Sequence, residues 1–291
     1  MSAALVSPKS FVSEERPTWC PGCGDYGVLQ ALQRAAAQLG LQPHEIAVVS
    51  GIGCSGKISS YFNAYGLHVL HGRSLPCAIG VKMANPNLTV IAAGGDGDGY
   101  GIGGNHFLNA IRRNINITYI VMDNQVYGLT KGQTSPTSAH GFKSTTSPAG
   151  SAENPMHPLR LALANGAGFI AQGFSADRAQ LVDLMVKAIQ HKGFSVVNTI
   201  SPCVTFNKVN TYDWYRERLH NLDEDSSHDP SDRASAFAKV MEHGDLVRGL
   251  IYAEEGPSYD EFVPGYTTSA MADLVKPADR KLIDKLMAEY R

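Results

Sequence analysis

Residues 88–124 read as one strand–turn–helix–strand unit, and this unit limits the fold more than any other part of the chain. The apolar run 88–93 predicts a buried strand that ends directly in Gly94-Gly95-Asp96-Gly97-Asp98-Gly99. Residues 103–114 then read as a helix and 117–122 as a second buried strand. A βαβ unit implies a parallel sheet, and ligands of such sheets gather at the carboxyl ends of the strands. Asp96 stands at the end of the first strand and Asn124, 28 residues later, at the end of the second. Two oxygen-bearing side chains thus emerge on one edge. Gly-rich backbone beside them suits a diphosphate neutralised by Mg²⁺, which takes a few protein oxygens and bridges phosphates. Gly-Asp-Gly alone is also what an ordinary turn looks like. The strands on both sides and the following Val126-Tyr127-Gly128 favour the metal–diphosphate reading. Gly101 and Gly103 suggest a dinucleotide fingerprint, but no Gly-x-Gly-x-x-Gly with an acidic residue about 20 positions on fits as well.

The rest of the chain is consistent with an α/β fold, a parallel sheet flanked by helices. Apolar positions recur at helical spacing over 25–39, with Gly40 as a stop, and 46–49 is a short strand. The polar stretch after Asn124, to about Pro158, is too long for an idle loop and is read as functional. Helices are expected at 158–165, 177–192 and 232–242, strands at 168–173 and 194–200, an acidic loop at 221–231, and a helical tail at 270–290. The first 17 residues read as an extended arm. This divides the chain into a cofactor-binding domain, 1–210, and a tail, 211–291, packing on that domain or on a partner subunit. A net charge of -2 gives no reason to expect nucleic acid or an anionic membrane as partner. No apolar run approaches the roughly 20 residues of a membrane span, and residues 1–15 lack the pattern of a signal peptide, so a cytoplasmic location is expected.

Five cysteines do not make a disulfide scaffold in a chain of 291 residues. Cys20-x-x-Cys23 alone fits zinc, a redox dithiol or an iron–sulfur cluster, and no second close pair completes a zinc site. Cys54 and Cys203 both follow strands and could meet the Cys20–Cys23 loop at the ligand edge, where four thiolates suit a [4Fe–4S] cluster. Cys77 opens an apolar stretch and reads as core.

Gly-Asp-Gly followed by an Asn one βαβ unit later resembles the thiamine-diphosphate enzymes. Around it stand Trp19-Cys20-Pro21-Gly22-Cys23-Gly24, Gly53-Cys54-Ser55-Gly56, His71-Gly72-Arg73 and Gln133-Thr134-Ser135-Pro136-Thr137. Together, from about Thr18 to Cys203, they resemble the β subunits of 2-oxoacid:ferredoxin oxidoreductases. The resemblance implies that Asp96, Asn124 and the Val126 carbonyl hold Mg²⁺. It implies that Gly95, Gly97, Asp98, Gly128 and Leu129 line the diphosphate, and that Ile52, Gly53, Cys54 and Ser55 lie along the cofactor. It assigns Cys20, Cys23, Cys54 and Cys203 to a [4Fe–4S] cluster.

The implied reaction is oxidative decarboxylation of a 2-oxoacid, with the acyl group passed to coenzyme A and electrons to ferredoxin, or the reverse carboxylation. Thiamine diphosphate acts as the electron sink, and a neighbouring cluster takes the electrons singly. The Glu that activates the cofactor comes, in that family, from an α subunit, which also suggests where coenzyme A sits; an αβ or α₂β₂ assembly is therefore expected. Lys57, His71 and Lys131 are candidates for contacting substrate. The stretch from Gly95 to His106 leans toward 2-oxoglutarate. The alternatives are a pyruvate- or indolepyruvate-specific member, a small electron-transfer protein using the cysteines alone, and a non-oxidative thiamine decarboxylase.

Overall fold

The computed structural model describes residues 6–263, 266, 269–274 and 279–289. Residues 1–5 of the expected arm, and 275–278 and 290 of the expected tail helix, lie outside them. In chain order the elements are α1 (Asp25–Gln38), β1 (Ile46–Ser50), α2 (Ile58–Tyr61), β2 (Tyr65–His68), α3 (Ser74–Ala84), β3 (Thr89–Gly95), α4 (Gly104–Arg113) and β4 (Ile117–Asp123). A hairpin of β5 (Val126–Tyr127) and β6 (Gln133–Thr134) follows, then α5 (Pro158–Ala164), β7 (Phe169–Phe174), α6 (Arg178–Gln190) and β8 (Phe194–Ile200). The last part holds α7 (Tyr212–Arg216), β9 (His220–Asn221), α8 (Arg233–Glu242), β10 (Val247–Ala253), α9 (Met271–Leu274) and α10 (Arg280–Glu289).

Eight strands form one sheet in the order β2-β1-β3-β4-β8-β7-β10-β9. All neighbours run parallel except β10 against β7. Because side chains alternate along a strand, each strand feeds two cores. Ala47, Val49, Val90, Ala92, Tyr119, Val121 and Val196 join Leu75, Phe107, Leu159 and Val240 on one face. Ile46, Val48, Ile91, Ala93, Ile120, Met122 and Val197 join Leu29, Leu32, Leu181 and Leu184 on the other. Each large aliphatic side chain so buried contributes about 1.5–3 kcal/mol. Burial on both faces is why these strands read as unbroken apolar runs.

Local chemistry sets the helix ends. Gly40 takes φ 71° just beyond α1, and the Leu41 N–H donates to Ala36 O. Asn114 closes α4 in the left-handed region, φ 47°, with Arg112 and Arg113 in the last turn where the helix dipole favours cations. The Asp177 side chain accepts the Gln180 N–H and caps α6.

The structure departs from the sequence expectations in three places. The N-terminal arm is not simply extended: Pro8–Phe11 is a single 3₁₀ turn, and the buried Phe11 ring stacks on Phe62 with centroids 5.2 Å apart. The polar stretch after Asn124 contains the β5–β6 hairpin. The stretch 211–291, expected as a tail, carries β9 and β10 of the same sheet as well as helices. Among the described residues no helix is long and apolar enough to cross a membrane.

Candidate active site

The chain leaves β1 outward to β2 and returns to β3 on the other side of β1, so the loops after β1 and β3 diverge over the carboxyl ends of the strands. Such a switch point opens a crevice. Ile52, Gly53, Cys54 and Ser55 after β1, Gly95 at the end of β3 with Asp96, Gly97 and Asp98 after it, Asn124 and Val126 after β4, and Gly128 and Leu129 beyond the hairpin's first strand all line one pocket there, with His71. The sequence expectations for these residues thus converge on one place.

Asp96 is buried, and burial pushes its carboxyl up while hydrogen bonds from Ser135 and Thr137 pull it down. No Lys, Arg or His among the described residues forms an ion pair with it. A buried carboxylate without a cation, beside the Asn124 side chain in the same pocket wall, fits a divalent metal. Asn124 Oδ1 accepts the Val126 N–H at 3.0 Å, which turns the chain so that Gln125 takes φ 57°.

Asp98 lines the pocket, but it also does something the sequence did not disclose. Its Oδ1 accepts the N–H groups of Ile52 (2.9 Å) and Gly72 (2.8 Å) and lies 2.9 Å from His71 Nδ1. One carboxylate therefore ties together the loops after β1, β2 and β3. Gly51 makes room for it, since a Cβ there would stand 1.9 Å from Asp98 Oδ2. Gly97 has a comparable reason: the Tyr127 ring occupies the space of its missing Cβ, and the Tyr127 hydroxyl donates to Gly97 O at 3.0 Å. Residues 97–102 form a π-type turn, a form that concentrates at functional sites.

His71 stands on the pocket wall, as expected of a group near substrate. Lys57 does not: its ammonium donates to Thr18 Oγ1 at 3.0 Å, outside the pocket lining. Lys131 is exposed in the hairpin turn and also lies outside the lining. The sequence reading passed over Asp123, which burial, and next the neighbouring Asp96, push up to about 7. It also missed Gly51 and Tyr127 and assigned no role to Ser135 or Thr137. The signals in the sequence were that Asp123 adjoins Asn124 and that Tyr127, Ser135 and Thr137 stand inside the motifs quoted above.

Cys20, Cys23, Cys54 and Cys203 line a second, largely apolar pocket with Trp19 and Phe206. The two pockets share Cys54, Asn124 and Gly128. A Cβ on Gly128 would lie 3.7 Å from the sulfurs of both Cys54 and Cys203. The Cys20–Cys23 loop is held against the end of β8: the Gly24 N–H donates to Pro202 O, and Ser201 Oγ donates to the buried Asp25 at 2.6 Å. Trp19 Nε1 donates to Cys54 O at 2.7 Å. Burial, then the Asp25 charge, push the Cys54 thiol up to about 11 and Cys23 higher still. Such thiols ionise readily only when a cationic centre binds them. No three of these sulfurs lie within 4.8 Å of one another. A tetrahedral zinc ion would need them about 3.8 Å apart, closer than any three of them stand. Cys77, expected as core, is partly buried on α3 and packs against the core, away from the other four.

Residues 51–199 match the family described as "Thiamine pyrophosphate enzyme, C-terminal TPP binding domain". Residues 203–268 match the family of the C-terminal part of the pyruvate ferredoxin oxidoreductase beta chain. The chain is 44% identical over 272 residues to a 2-oxoacid:ferredoxin oxidoreductase subunit beta of Saccharolobus solfataricus, covering 85% of this chain and 89% of that one. It is 38% identical over 244 residues to the 2-oxoglutarate synthase subunit KorB of Methanocaldococcus jannaschii, covering 84% and 90% respectively. Among solved structures, a 2-oxoglutarate:ferredoxin oxidoreductase from Magnetococcus marinus, with 2-oxoglutarate, coenzyme A and succinyl-CoA bound, superposes with a TM-score of 0.86 at 40% identity, covering 94% of this chain and 97% of that one. The chain thus contains a thiamine diphosphate-binding domain, on which the pocket at the β1/β3 switch point lies, and it belongs to the β subunits of the 2-oxoacid:ferredoxin oxidoreductases, enzymes completed by a partner subunit.

Proposed function

We propose that this β subunit, with its α partner, oxidatively decarboxylates 2-oxoglutarate to an acyl-coenzyme A and CO₂, or runs the reverse carboxylation, with ferredoxin as electron partner in the cytoplasm. The observation that carries the proposal is the pair of abutting pockets, one holding Asp96, Asn124 and Val126 and the other the four cysteines, with Cys54, Asn124 and Gly128 common to both. In this reading Asp96, Asn124 and the Val126 carbonyl hold Mg²⁺. Gly95, Gly97, Asp98, Gly128 and Leu129 line the diphosphate, while Ile52, Gly53, Cys54 and Ser55 run along the cofactor. Cys20, Cys23, Cys54 and Cys203 hold a [4Fe–4S] cluster. Thiamine diphosphate, when bound, supplies the electron sink for decarboxylation. Gly128, between the two pockets, carries no side chain to keep the electron donor and acceptor apart.

His71 is the residue of this chain we assign to the substrate side, because it lines the pocket with its Nδ1 2.9 Å from Asp98 Oδ1. Lys57 reaches substrate only by leaving Thr18. The activating Glu and the coenzyme A site are assigned to the α subunit. The far end of the 211–291 stretch is assigned to partner contact, because α10 exposes Leu282, Ile283, Leu286 and Met287 along one face. None of the five cysteines is paired in a disulfide, which fits the reducing cytoplasm.

Preference for 2-oxoglutarate is supported by the KorB relatives and by the substrate bound in the Magnetococcus enzyme. The match of residues 203–268 to a pyruvate oxidoreductase family is the observation for a pyruvate-specific member. Anaerobic co-purification with the partner, followed by thiamine diphosphate, iron and sulfide quantification, tests the site. Initial rates with 2-oxoglutarate, pyruvate and indolepyruvate, each with coenzyme A and ferredoxin, test the substrate. A complex without iron, or one silent with all three acids, would overturn the proposal.

A further inference from the structure

The stretch Gln133-Thr134-Ser135-Pro136-Thr137 has no task in the cofactor reading, yet its hydroxyls converge on one atom. Ser135 Oγ lies 2.5 Å and Thr137 Oγ1 2.7 Å from Asp96 Oδ2, across 39 and 41 residues of chain. Neither hydroxyl is hydrogen-bonded to Oδ1, and the Gly97 and Asn124 N–H groups also act on the carboxylate. Ser135 and Thr137 are only 6% and 5% exposed, so little water competes for these bonds. Donation to an ionised carboxylate makes a short, strong hydrogen bond.

The hydroxyls are themselves anchored from elsewhere. The Ser135 N–H donates to Ser138 Oγ at 2.8 Å, and Ser138 Oγ donates to Gln125 O at 2.7 Å. Pro136 O accepts the Met156 N–H at 2.7 Å. Thr137 Oγ1 also stands 2.9 Å from Asp123 Oδ1, at the end of β4. The return limb of the hairpin is therefore a rigid frame and not a passive cover, and Asp96 is what it grips.

We propose that Ser135 and Thr137 are positioning residues for the Asp96 carboxylate. With the Ser135 hydroxyl donating to Oδ2 and the Thr137 hydroxyl, whose one proton faces both Asp96 and Asp123, against the same oxygen, they hold the group in one rotamer and limit it to one oxygen for a divalent cation. The proposal rests on the reading of Asp96 as a metal ligand and deepens it into metal selectivity. Mg²⁺ and Mn²⁺ favour tight octahedral shells, whereas Ca²⁺ accepts bidentate carboxylates in larger, irregular ones. A carboxylate pinned through Oδ2 disfavours the bidentate mode, so the clamp selects the smaller ions. Groups that orient a metal ligand typically change metal affinity by about 10–100-fold when removed.

The test uses the complete complex with its partner subunit, stripped of metal and titrated with Mn²⁺ in the presence of thiamine diphosphate, with free Mn²⁺ read by electron paramagnetic resonance. Thr137→Val and Ser135→Ala are each expected to weaken Mn²⁺ binding about 10–100-fold and to improve the ability of Ca²⁺ to compete. Thr137→Ser, which keeps the hydroxyl, is expected to bind Mn²⁺ like the wild type. If Thr137→Val does not assemble, Ser135→Ala reads the same oxygen. Thermal unfolding of the metal-free complexes serves as the structural control. Variants that unfold earlier yet bind Mn²⁺ and reject Ca²⁺ as the wild type does would overturn the positioning role. A wild-type complex that binds no Mn²⁺ with the cofactor present would instead overturn the assignment of Asp96, and the clamp with it.

Discussion

At the residue scale, the site depends on atoms that are missing as much as on those present. Gly51 and Gly94 leave the volume that the Asp98 carboxylate fills. Gly51→Ala would drive a methyl into Asp98, and overpacking of this kind costs about 1–3 kcal/mol. We expect the variant to lose the Asp98 contacts to Ile52 and Gly72 and to retain less thiamine diphosphate after gel filtration; full retention with an unchanged melting temperature would count against the tie. His191 gives a pH-linked prediction far from the pocket. It packs beside the Phe169 ring with Nε2 buried and without a hydrogen-bond partner. Burial lowers its pKa, opposed by Glu255. The unfolded chain therefore takes up a proton at higher pH than the folded one. The stability this group supports is present above the ordinary imidazole range and is lost as pH falls into and below it. His191→Phe is expected to flatten the acid side of the stability profile between about pH 7 and 5 in urea titrations, and an unchanged slope would disprove the assignment.

Elements succeed or fail as sequence predictions according to how much of their reason is local. α1, α4 and α6 were legible because periodic apolar residues and their caps lie within the segment itself. β3, β4 and β8 were legible as apolar runs because both of their faces are buried. β2 was not: it is an edge strand of only four residues, all exposed, too short for its alternation to stand out. β10 was not either, because its pairing with β7 carries a register shift between Leu250 and Tyr252 and it needs Gly249 at φ 115°. The cap of α6 allows a test at this scale. Asp177 accepts the Gln180 N–H and also pairs with Arg248 at 2.7 Å. Asp177→Ala should cost about 1 kcal/mol through the lost cap, read as a lower urea midpoint. Asp177→Asn, which can still cap, should cost less; equal losses would shift the weight to the Arg248 pair.

Over the whole molecule, the cysteines connect distant parts of the chain. Cys20 and Cys23 precede α1, Cys54 follows β1 and Cys203 follows β8, so a group bound by all four would join the N-terminal loop to both halves of the sheet. Cys203→Ser is accordingly expected to lose most of the iron and sulfide from the anaerobically purified complex while leaving thiamine diphosphate in place. Unchanged iron would remove Cys203 from the ligand set. α10 makes a similar point about assembly. A helix of ten residues is marginal in water alone, and Leu282, Ile283, Leu286 and Met287 of α10 stand exposed.

The Gly-Asp loop between two buried strands, the Asn one unit later and the four cysteines could all be read in order along the chain, because a strand–turn–helix unit fixes where its own ends emerge. From these the sequence by itself determined the α/β class, the sheet edge where the expected site residues gather, and the family. Tertiary structure alone decided which hydroxyls hold Asp96, that Asp98 ties three loops together, and that Lys57 turns to Thr18 and not into the pocket. Those choices join residues dozens of positions apart across a closed sheet. Nothing in the spacing of Ser, Thr or Lys along a chain records which distant partner the folded loops will bring within hydrogen-bonding distance.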